Sequence, residues 1–299
     1  MSGVLRILRA APLTSLQDLG RPAARRLGLS ASGPMDRAAY LHAGGRLGRA
    51  GNTAIEFTRA GMDFTLEQGA VRVAWAGGDF RVRHNGVDLP WPGAANLAEG
   101  DSLAIAPGAW GNYGYLRLDA DCDVEPVLGS RATHLTAGIG GVAGRALRAG
   151  DCIAFSGLPS PAPWHAISAR SDGPFRFIWG LHADIFAPAL RQRFVSSVFR
   201  VSPRLDRMGV RLEDLAGMFS GATILSLVSD AIVPGDVQIL GDGTPIVLMR
   251  DHQTTGGYPR IATVISADLD RLAQMRPGED IGFTAVSLEH AQAISRSAP

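Results

Sequence analysis

The chain has 299 residues, of which 46% are hydrophobic and 19% charged, and its formal net charge is +1. This length and composition predict one large or two medium lobes, and the near-neutral charge argues against a solvated tail or a nucleic-acid-binding surface. All 29 basic residues are arginine, which excludes a lysine Schiff base, a P-loop lysine and a biotinyl-lysine on this chain.

Short stretches of alternating apolar and polar residues predict half-buried strands. These stretches are residues 54–58, 62–67, 71–75, 103–105, 152–155, 237–240 and 281–284. Asn85-Gly86 and Asp242-Gly243 each lie between two apolar runs, and both dipeptides favour the positive φ values of tight hairpin turns. The strands on either side of them are therefore expected to be antiparallel.

Four turn-like tripeptides also precede apolar runs, at residues 99–101, 149–151, 234–236 and 277–279. Each has glycine in the middle and aspartate or glutamate at the end. Turn-then-strand units of this kind suit barrels, and we interpret the repetition as repeated turn chemistry.

Three helices are expected, over residues 36–47 and 182–195 and in a segment that Ser266 caps and Pro277 stops. They are too few to alternate with the strands, which argues against a doubly wound fold. Prolines at positions 159, 161, 163 and 174 disfavour regular structure, so residues 158–174 are predicted to connect a first lobe, 1–157, with a second, 175–299.

Targeting and metal signals are missing from the sequence. Arg6 and Arg9 interrupt the apolar run at the start, and no later run reaches the roughly 18 apolar residues of a membrane span, so we expect a cytoplasmic protein that binds no membrane. Cys122 and Cys152 are isolated and the seven histidines occur singly, so neither a disulfide framework nor a metal site is expected.

The most polar segment near the end is residues 250–260, directly after the apolar stretch 246–249. Gly256 and Gly257 allow a ligand to approach the backbone closely, and Asp251 or His252 can handle a proton. The side chains of residues 253–255 offer adaptable hydrogen bonds. A solvated hairpin loop explains the same composition about equally well.

A second cluster, residues 202–213, carries three arginines. Arg204, Arg207 and Arg211 can lie on one side of a turn or short helix, where guanidinium groups bind carboxylate or phosphate with two hydrogen bonds. Asp206 and Glu213 can also pair with these arginines, and an exposed ion-pair network is the commoner outcome.

A third cluster spans residues 14–22 and 30–36. Gln17, Asp18 and Arg21 accompany turn-forming glycine and proline, and Asp36 is placed to cap the helix that follows, so turn and cap roles are favoured. The glycine-rich residues 138–144 lack the dinucleotide-binding spacing and predict a loop, and no Gly-x-Ser-x-Gly elbow supports a serine hydrolase.

The three clusters, in this order, resemble the family that contains the C-type subunit of 5-oxoprolinase, the Kip-type kinase-regulator antagonist and the second half of the urea carboxylase carboxyltransferase domain. The matching motifs run nearly end to end. They are Gln17-Asp18-x-Gly20-Arg21-Pro22, Ser32-Gly33-x-Met35-Asp36, Asn52-x-Ala54-x-Glu56, Leu128-Gly129-Ser130-Arg131, Ser202-Pro203-Arg204-x-Asp206-Arg207-Met208-Gly209-x-Arg211-Leu212 and Asp251-x-Gln253-Thr254-Thr255-Gly256-Gly257-Tyr258-Pro259.

The resemblance implies a mainly β fold with a few helices, arranged as two cyclophilin-like β-barrel lobes. It implies that the chain is the C-type subunit of an ATP-dependent 5-oxoprolinase. This enzyme is a lactam hydrolase that opens 5-oxo-L-proline to L-glutamate, and the subunit would be active only in a complex. The implied partners are a B-type subunit like the Kip inhibitor, which would share the ATP site, and an A-type hydrolase subunit. Two alternatives stay open: a carboxyltransferase subunit acting on urea or a related amide, with biotin on another chain, and a non-catalytic Kip-type binding module.

The resemblance also implies site residues. Asp206, Asp251 and Arg207 are the expected catalytic residues. Substrate binding is expected of Gln17, Asp18, Arg21, Arg204, Arg211, Gln253, Thr254, Thr255, Gly256, Gly257 and Tyr258. The sequence departs from the family pattern at residues 116–122, which are bulky and acidic rather than glycine-rich, and at Arg260, where relatives often have lysine.

Overall fold

The computed structural model describes residues 2–166, 172–220 and 227–297. The chain forms two compact units, Met1–Ala23 with Ala31–Ser168, and Ala24–Ser30 with Ala169–Pro299. Residues 167–171 of the expected connector lie outside the described residues. The lobe boundaries drawn from the sequence stay a prediction.

Strands dominate the first unit. They are Gly3–Ala10 (β1), Ser15–Gln17 (β2), Arg49–Ala50 (β3), Ala54–Thr58 (β4), Met62–Gly77 (β5), Phe80–His84 (β6), Val87–Leu89 (β7), Gly93–Ala98 (β8), Ser102–Pro107 (β9), Tyr113–Leu118 (β10), Asp121–Cys122 (β11), Cys152–Ser156 (β12) and Ser160–Pro161 (β13). The α-helix Arg37–Leu47 (α1) precedes β3, and a 3₁₀ helix, Pro22–Leu27, begins in this unit and continues into the segment assigned to the second. The main sheet runs β11-β12-β1-β5-β10-β4-β2, with β6 to β9 attached through β5 and β9.

The long strand β5 joins the two halves of this sheet. Its first half pairs with β1 and β9, and its second half pairs with β8 and β10. The sequence predicted two separate strands here. That prediction was wrong because the chain stays paired with β1 through this stretch: Gly69, at φ +89°, lies opposite Gly3, and a register shift between residues 66 and 68 interrupts the ladder without ending the strand.

The second unit begins with the strand Phe175–Trp179 (β14). Its other elements are a 3₁₀ helix, Ala183–Ile185, then Pro188–Ser196 (α2), Phe199–Leu205 (β15), Gly209–Asp214 (β16), Asp230–Ala231 (β17), Asp236–Ile239 (β18), Pro245–Leu248 (β19), Thr255–Gly256 (β20), Arg260–Val264 (β21), Ser266–Ala273 (α3), Asp280–Ile281 (β22), Phe283–Ala285 (β23) and Leu288–Ser297 (α4). The sheet order β22-β15-β16-β19-β18-β21-β14-β23 curls into a nearly closed barrel. Strands β17 and β20 pair with each other in a separate two-stranded antiparallel ladder.

Phenylalanines fill the core of the second unit. Phe194 stacks on Phe283 with ring centroids 4.9 Å apart, and Phe177 and Phe199 lie edge-on or tilted against it at 5.5 Å. Each of these rings is at most 2% exposed, so each contributes about 1.5–3 kcal/mol through burial. The mainly β fold with a few helices is confirmed, while its description as cyclophilin-like stays a prediction.

The four repeated turns share one geometry. Their glycines, at positions 100, 150, 235 and 278, have φ between +88° and +95°. In each turn the N–H of the acidic residue donates to the carbonyl oxygen three residues earlier, at 3.0–3.2 Å. Its carboxylate accepts a hydrogen bond from the N–H of that same earlier residue, at 2.6–3.0 Å. The prediction of repeated turn chemistry is confirmed.

The helix predictions were confirmed only in part. Asp36 caps α1 as expected, by accepting a hydrogen bond from the N–H of Ala39 at 2.9 Å. Residues 182–195 are not one helix, because Pro188 has no amide hydrogen and so starts a new helix instead of continuing the old one. Ser266 lies inside α3 and does not cap it. Among the described residues, no helix is both long and apolar enough to span a membrane.

Candidate functional site

Asp18 organises the first polar cluster. One oxygen of its carboxylate accepts from the N–H of Gly20 (2.8 Å) and from the hydroxyl of Ser130 (2.6 Å), and the other accepts from the N–H of Arg131 (2.6 Å). This carboxylate therefore joins the turn after β2 to the loop at residues 128–131. Two motifs that are far apart in the sequence become one structural element in the first unit.

Arg21 strengthens the same junction from inside. Its side chain is 2% exposed, and its guanidinium donates to the carbonyl oxygens of Val127, Ser130 and Ala132. Next to it, Gly140 adopts φ +70°, and a Cβ at that glycine would lie 2.1 Å from the carbonyl oxygen of Ala132. The glycine-rich segment is therefore packed closely against the arginine.

Gln17 presents an unsatisfied acceptor in this region. Its Nε2 donates to the carbonyl oxygen of Thr133 (2.9 Å) and to the hydroxyl of Ser15 (3.0 Å). Its Oε1 has no hydrogen-bond partner within the described part of the chain, and neither has the hydroxyl of Thr133. Both residues are fully buried, so these atoms are among the polar groups of this cluster left for a ligand or water.

Glu56, Tyr115 and the start of α1 form a buried network. The hydroxyl of Tyr115 donates to Oε2 of Glu56 (2.7 Å) and accepts from the N–H of Asp36 (2.8 Å), while the N–H of Met35 donates to the same oxygen of Glu56 (2.9 Å). Complete burial raises the pKa of Tyr115 well above its ordinary value. The sequence showed Glu56 only as part of a motif, and its role in holding residues 32–36 was missed.

Arg207 and Asp251 lie together in the second unit as a buried ion pair. Nε of Arg207 is 2.9 Å from Oδ2 of Asp251, and Nη2 is 3.0 Å from Oδ1. The N–H of Asp251 also donates to the carbonyl oxygen of Arg207 at 2.8 Å. Both residues are 2% exposed, so the pair holds the two loops together and presents little surface to a ligand.

The other charged residues of the second cluster point in different directions. Segment 202–212 is a β-hairpin in which the exposed Asp206 accepts hydrogen bonds at its turn from the N–H groups of Met208 (2.8 Å) and Gly209 (3.2 Å). Arg204 is exposed and lines a cavity of about 240 Å³ together with Asp214 and Asp242. Arg211 is half-buried on β16, so the structure does not gather the three arginines at one point.

The loop at residues 253–258, hereafter the strap, crosses one face of the barrel sheet in the second unit. The β17–β20 pairing holds it in place, together with two backbone hydrogen bonds. The N–H of Ile232 donates to the carbonyl oxygen of Thr254 (3.2 Å), and the N–H of Leu227 donates to that of Gly257 (2.6 Å). A Cβ at Gly257 would lie 2.7 Å from the carbonyl oxygen of Leu227, so only glycine fits. Gln253, Thr255 and Tyr258 are exposed on the strap and can contact a ligand.

His252, just before the strap, is 2% exposed. Burial lowers its pKa, and the nearby positive charge of Arg25 acts in the same direction. Arg25 itself donates to the carbonyl oxygen of Ile232 at 2.8 Å. His252 is therefore neutral at pH 7, and its Nδ1 lies against the carbonyl oxygen of Gln253.

Arg260 and His182 form a further charged group beside the strap. Arg260 pairs with Asp230 at 2.8 Å and with Asp236 at 3.5 Å, and its N–H donates to Nδ1 of His182 at 3.3 Å. Burial, followed by the charge of Arg260, lowers the pKa of His182. The sequence marked Arg260 only as a departure from the family, and nothing in it linked His182 to this loop.

Comparisons with known proteins agree with this arrangement of motifs. The sequence model of the family described as "Carboxyltransferase domain, subdomain A and B" matches residues 27–285. The chain belongs to this family.

Two bacterial relatives match over almost their whole length. The chain is 34% identical to the C-type 5-oxoprolinase subunit of Escherichia coli, over 96% of this chain and 93% of that protein. It is also 34% identical to the C-type 5-oxoprolinase subunit of Haemophilus influenzae, over 97% and 94%.

A structural relative contains the same fold within a longer chain. In the crystal structure of the Kluyveromyces lactis urea carboxylase, a region 25% identical covers 98% of this chain but only 28% of that chain, with a TM-score of 0.88. The family fold therefore occurs both as a chain of its own length and as one part of a larger protein.

Residues 116–122, which are expected from the sequence to depart from the family pattern, belong mostly to the core of the first unit. Leu116, Leu118 and Cys122 are buried in the main hydrophobic cluster of the first unit. The guanidinium of Arg117 lies 4.0 Å from the ring centre of Tyr40 and donates to that residue's carbonyl oxygen at 3.2 Å. Arg117 therefore joins this strand to α1, and the apolar side chains beside it serve packing.

Within residues 2–166, 172–220 and 227–297, no three His, Cys, Asp or Glu side chains gather in an arrangement able to hold a metal ion.

The residues expected from the sequence to act in function form two groups, one in each unit. Gln17, Asp18 and Arg21 are joined in the first unit, while Arg207, Asp251 and the strap are joined in the second.

Proposed function

We propose that this chain is the C-type subunit of a cytoplasmic, ATP-dependent 5-oxoprolinase and that it is active only in complex with B-type and A-type subunits. The observation that carries the proposal is the similarity to the C-type 5-oxoprolinase subunit of Escherichia coli, which extends over 96% of this chain and 93% of the relative. That relative is named as one subunit among several, which supports the expectation of partners. The ATP site is proposed to be shared with the B-type subunit.

The proposed reaction has three steps. The γ-phosphoryl group of ATP moves to the lactam carbonyl oxygen of 5-oxo-L-proline, and ADP leaves. Water then attacks the carbon of that carbonyl group, and the ring C–N bond breaks as its nitrogen takes up a proton, which leaves an acyl phosphate. A second water hydrolyses the acyl phosphate to L-glutamate and phosphate. Cations stabilise the negative charge on the phosphoryl group during its transfer, and arginine is the only strongly cationic residue type in this chain.

The burial of each charged group suggests its part in this reaction. We propose that Arg204 and Arg211 neutralise charge, because Arg204 is exposed and Arg211 is half-buried. Asp206 is exposed and assists proton movement. Arg207 and Asp251 are each 2% exposed and bound to each other, so their contribution is proposed to be the placement of the strap.

Substrate contact is proposed for the strap, where Gln253, Thr255 and Tyr258 are exposed and Thr254 is half-buried. Gln253, Thr254, Thr255 and Tyr258 offer hydrogen bonds next to the flexible backbone of Gly256 and Gly257. Gln17 is fully buried in the first unit, and the substrate contact that the family resemblance implies for it stays a prediction. Asp18 and Arg21 are committed to neighbouring backbone groups and act by shaping that loop.

A second candidate function is a carboxyltransferase subunit that acts on urea or a related amide. The structural similarity to the Kluyveromyces lactis urea carboxylase, with a TM-score of 0.88, favours it. Because the chain has no lysine, the biotinyl group would be on another chain. A Kip-type binding module without chemistry is the outcome to accept if neither activity is found.

Activity of the co-purified complex tests these candidates. ADP release and glutamate formation are measured with 5-oxo-L-proline, with urea plus bicarbonate and without substrate, each in the presence and absence of avidin. The proposal predicts ADP release that 5-oxo-L-proline stimulates and avidin does not inhibit. Urea-dependent turnover blocked by avidin would favour the carboxyltransferase, and a stable complex with no turnover would favour the binding module.

A further inference from the structure

Gln238 is a buried polar residue to which neither the sequence motifs nor the comparisons assign a role. It lies on β18 and is 1% exposed. Its register partner on β21 is Arg260, and Asp236 lies two positions before it, so the three side chains share one face of the sheet. A register shift between Val237 and Gln238 brings Arg260, and not Ile261, opposite Gln238.

The charged neighbours of Gln238 on this face are satisfied. Asp236 accepts from the hydroxyl of Thr263 (2.7 Å) and from the N–H of Val233 (3.0 Å). Arg260 donates to Asp230 (2.8 Å) and to the carbonyl oxygen of Ala231 (2.7 Å). The Nε2 group of Gln238, in contrast, has no hydrogen-bond partner anywhere in the described residues.

The strap covers this unsatisfied amide at Gly256. A Cβ at Gly256 would lie 2.8 Å from Nε2 of Gln238, 3.2 Å from Ile232 and 3.7 Å from Nε2 of Gln253. Two carboxamide side chains thus converge on one glycine of the motif loop. The absence of a side chain at Gly256 leaves Nε2 of Gln238 facing the strap backbone.

A buried donor without a partner destabilises the folded chain, and folded proteins rarely retain one without a reason. A ligand that supplies the missing acceptor is such a reason. A carboxamide has its donor and acceptor side by side, and it pairs edge to edge with another planar amide whose C=O and N–H lie on the same side. A lactam has this cis arrangement, and urea has it as well.

We propose that Gln238 is a substrate-binding residue that pairs with the planar cis-amide edge of the substrate when the strap moves away from β18. Nε2 of Gln238 donates to the substrate carbonyl oxygen, and Oε1 accepts from the substrate N–H. Gly256 and Gly257 give the strap the backbone freedom that this movement needs. The identity of the amide as 5-oxo-L-proline rests on the function proposed above, whereas the recognition of a cis-amide edge does not.

The test compares Gln238→Met, which keeps the length of the side chain and removes its hydrogen bonds, with Gln192→Met, the same change at an exposed position of the same unit. Because Gln238→Met removes an unsatisfied buried donor, the isolated chain is expected to unfold at an equal or higher temperature than the wild type. In the complex, KM for 5-oxo-L-proline is expected to rise about tenfold, while KM for ATP stays constant. Gln192→Met is expected to change neither quantity.

A lower unfolding temperature with an unchanged KM would overturn the inference, because it would show that Gln238 serves only the fold. If the wild-type complex does not turn over 5-oxo-L-proline, the proposed function fails, and the inference is decided by thermal shift of the complex with urea and 2-pyrrolidinone. A shift that Gln238→Met abolishes supports cis-amide recognition. The absence of a shift, or one that the variant retains, overturns it.

Discussion

Arg207 and Asp251 form a two-point ion pair that is almost entirely buried, with Nε–Oδ2 and Nη2–Oδ1 distances of 2.9 and 3.0 Å. The pair ties the turn between β15 and β16 to the residues that precede the strap. Because both groups are removed from water, each depends on the other for its charge compensation. The position of the strap therefore depends on an ion pair whose two members lie 44 residues apart in the sequence.

Replacing one member of this pair is expected to destabilise the fold. Arg207→Ala leaves the buried Asp251 carboxylate without its cation, and we expect a loss of about 3–5 kcal/mol in the free energy of unfolding. Urea unfolding of the isolated chain measures this loss. The control is Arg200→Ala, which breaks the exposed pair between Arg200 and Asp280 and is expected to have little effect. Equal effects of the two variants would contradict this account of the pair.

His252 is expected to make stability depend on pH. Its pKa is lowered in the folded chain, so below about pH 6.5 the unfolded chain binds a proton that the folded chain does not. The contribution of His252 to the free energy of unfolding is therefore fully present above that pH, and it is lost as the pH falls towards the pKa of the folded chain. His252→Gln should reduce the slope of stability against pH between pH 7 and 5, whereas His290→Gln, at an exposed position, should not. An unchanged slope in His252→Gln would show that its burial has no such effect.

The repeated turns predict a penalty that comes from backbone conformation alone. Gly278 has φ +88° and no atom within 4 Å of an added Cβ, so Gly278→Ala costs only the strain of the left-handed conformation, about 1–2 kcal/mol. Gly282, four residues later, has an ordinary φ, and the nearest atom to an added Cβ is 4.0 Å away. Gly282→Ala should therefore be neutral or slightly stabilising. The free energies of unfolding of the two variants decide the point, and similar values would refute it.

Tyr115→Phe tests the buried network of the first unit. The N–H of Asp36 and Oε2 of Glu56 both lose a partner, and we expect a loss of about 1–3 kcal/mol in stability. Tyr258→Phe makes the same change at a residue that is 38% exposed and should cost much less. Chemical denaturation of both variants gives the comparison, and a small effect at Tyr115 would mean that water replaces its hydroxyl.

Local features of the fold were predictable because they depend on neighbouring residues. Residues 54–58 form the strand β4 as predicted, although four of its five residues are buried instead of about half. Asn85-Gly86 forms the predicted β6–β7 hairpin turn, with φ values of +49° and +84°. The four turns were visible because glycine supplies the positive φ and the acid supplies the capping oxygen. The helix α4 was missed although the hydroxyl of Ser287 accepts from the N–H of His290 at 3.2 Å near its start.

Features that depend on sheet register could not be predicted from the sequence. Gln238 meets Gly256 only because a register shift aligns β18 with β21 and because the strap crosses that face. The three arginines of residues 202–212 share a motif, yet the hairpin sends Arg207 inward and leaves Arg204 exposed. A motif therefore identified which segments matter, and only the fold showed which side chains within them a ligand can reach.

The most direct test of the proposed function is an omission experiment. Glutamate and ADP are measured with 5-oxo-L-proline and ATP, using the A-type and B-type subunits with and without this chain. We expect one ADP for each glutamate when all three subunits are present, and no coupled turnover when this chain is left out. Coupled turnover by the other two subunits alone, or a complete complex that hydrolyses ATP without forming glutamate, would contradict the proposal.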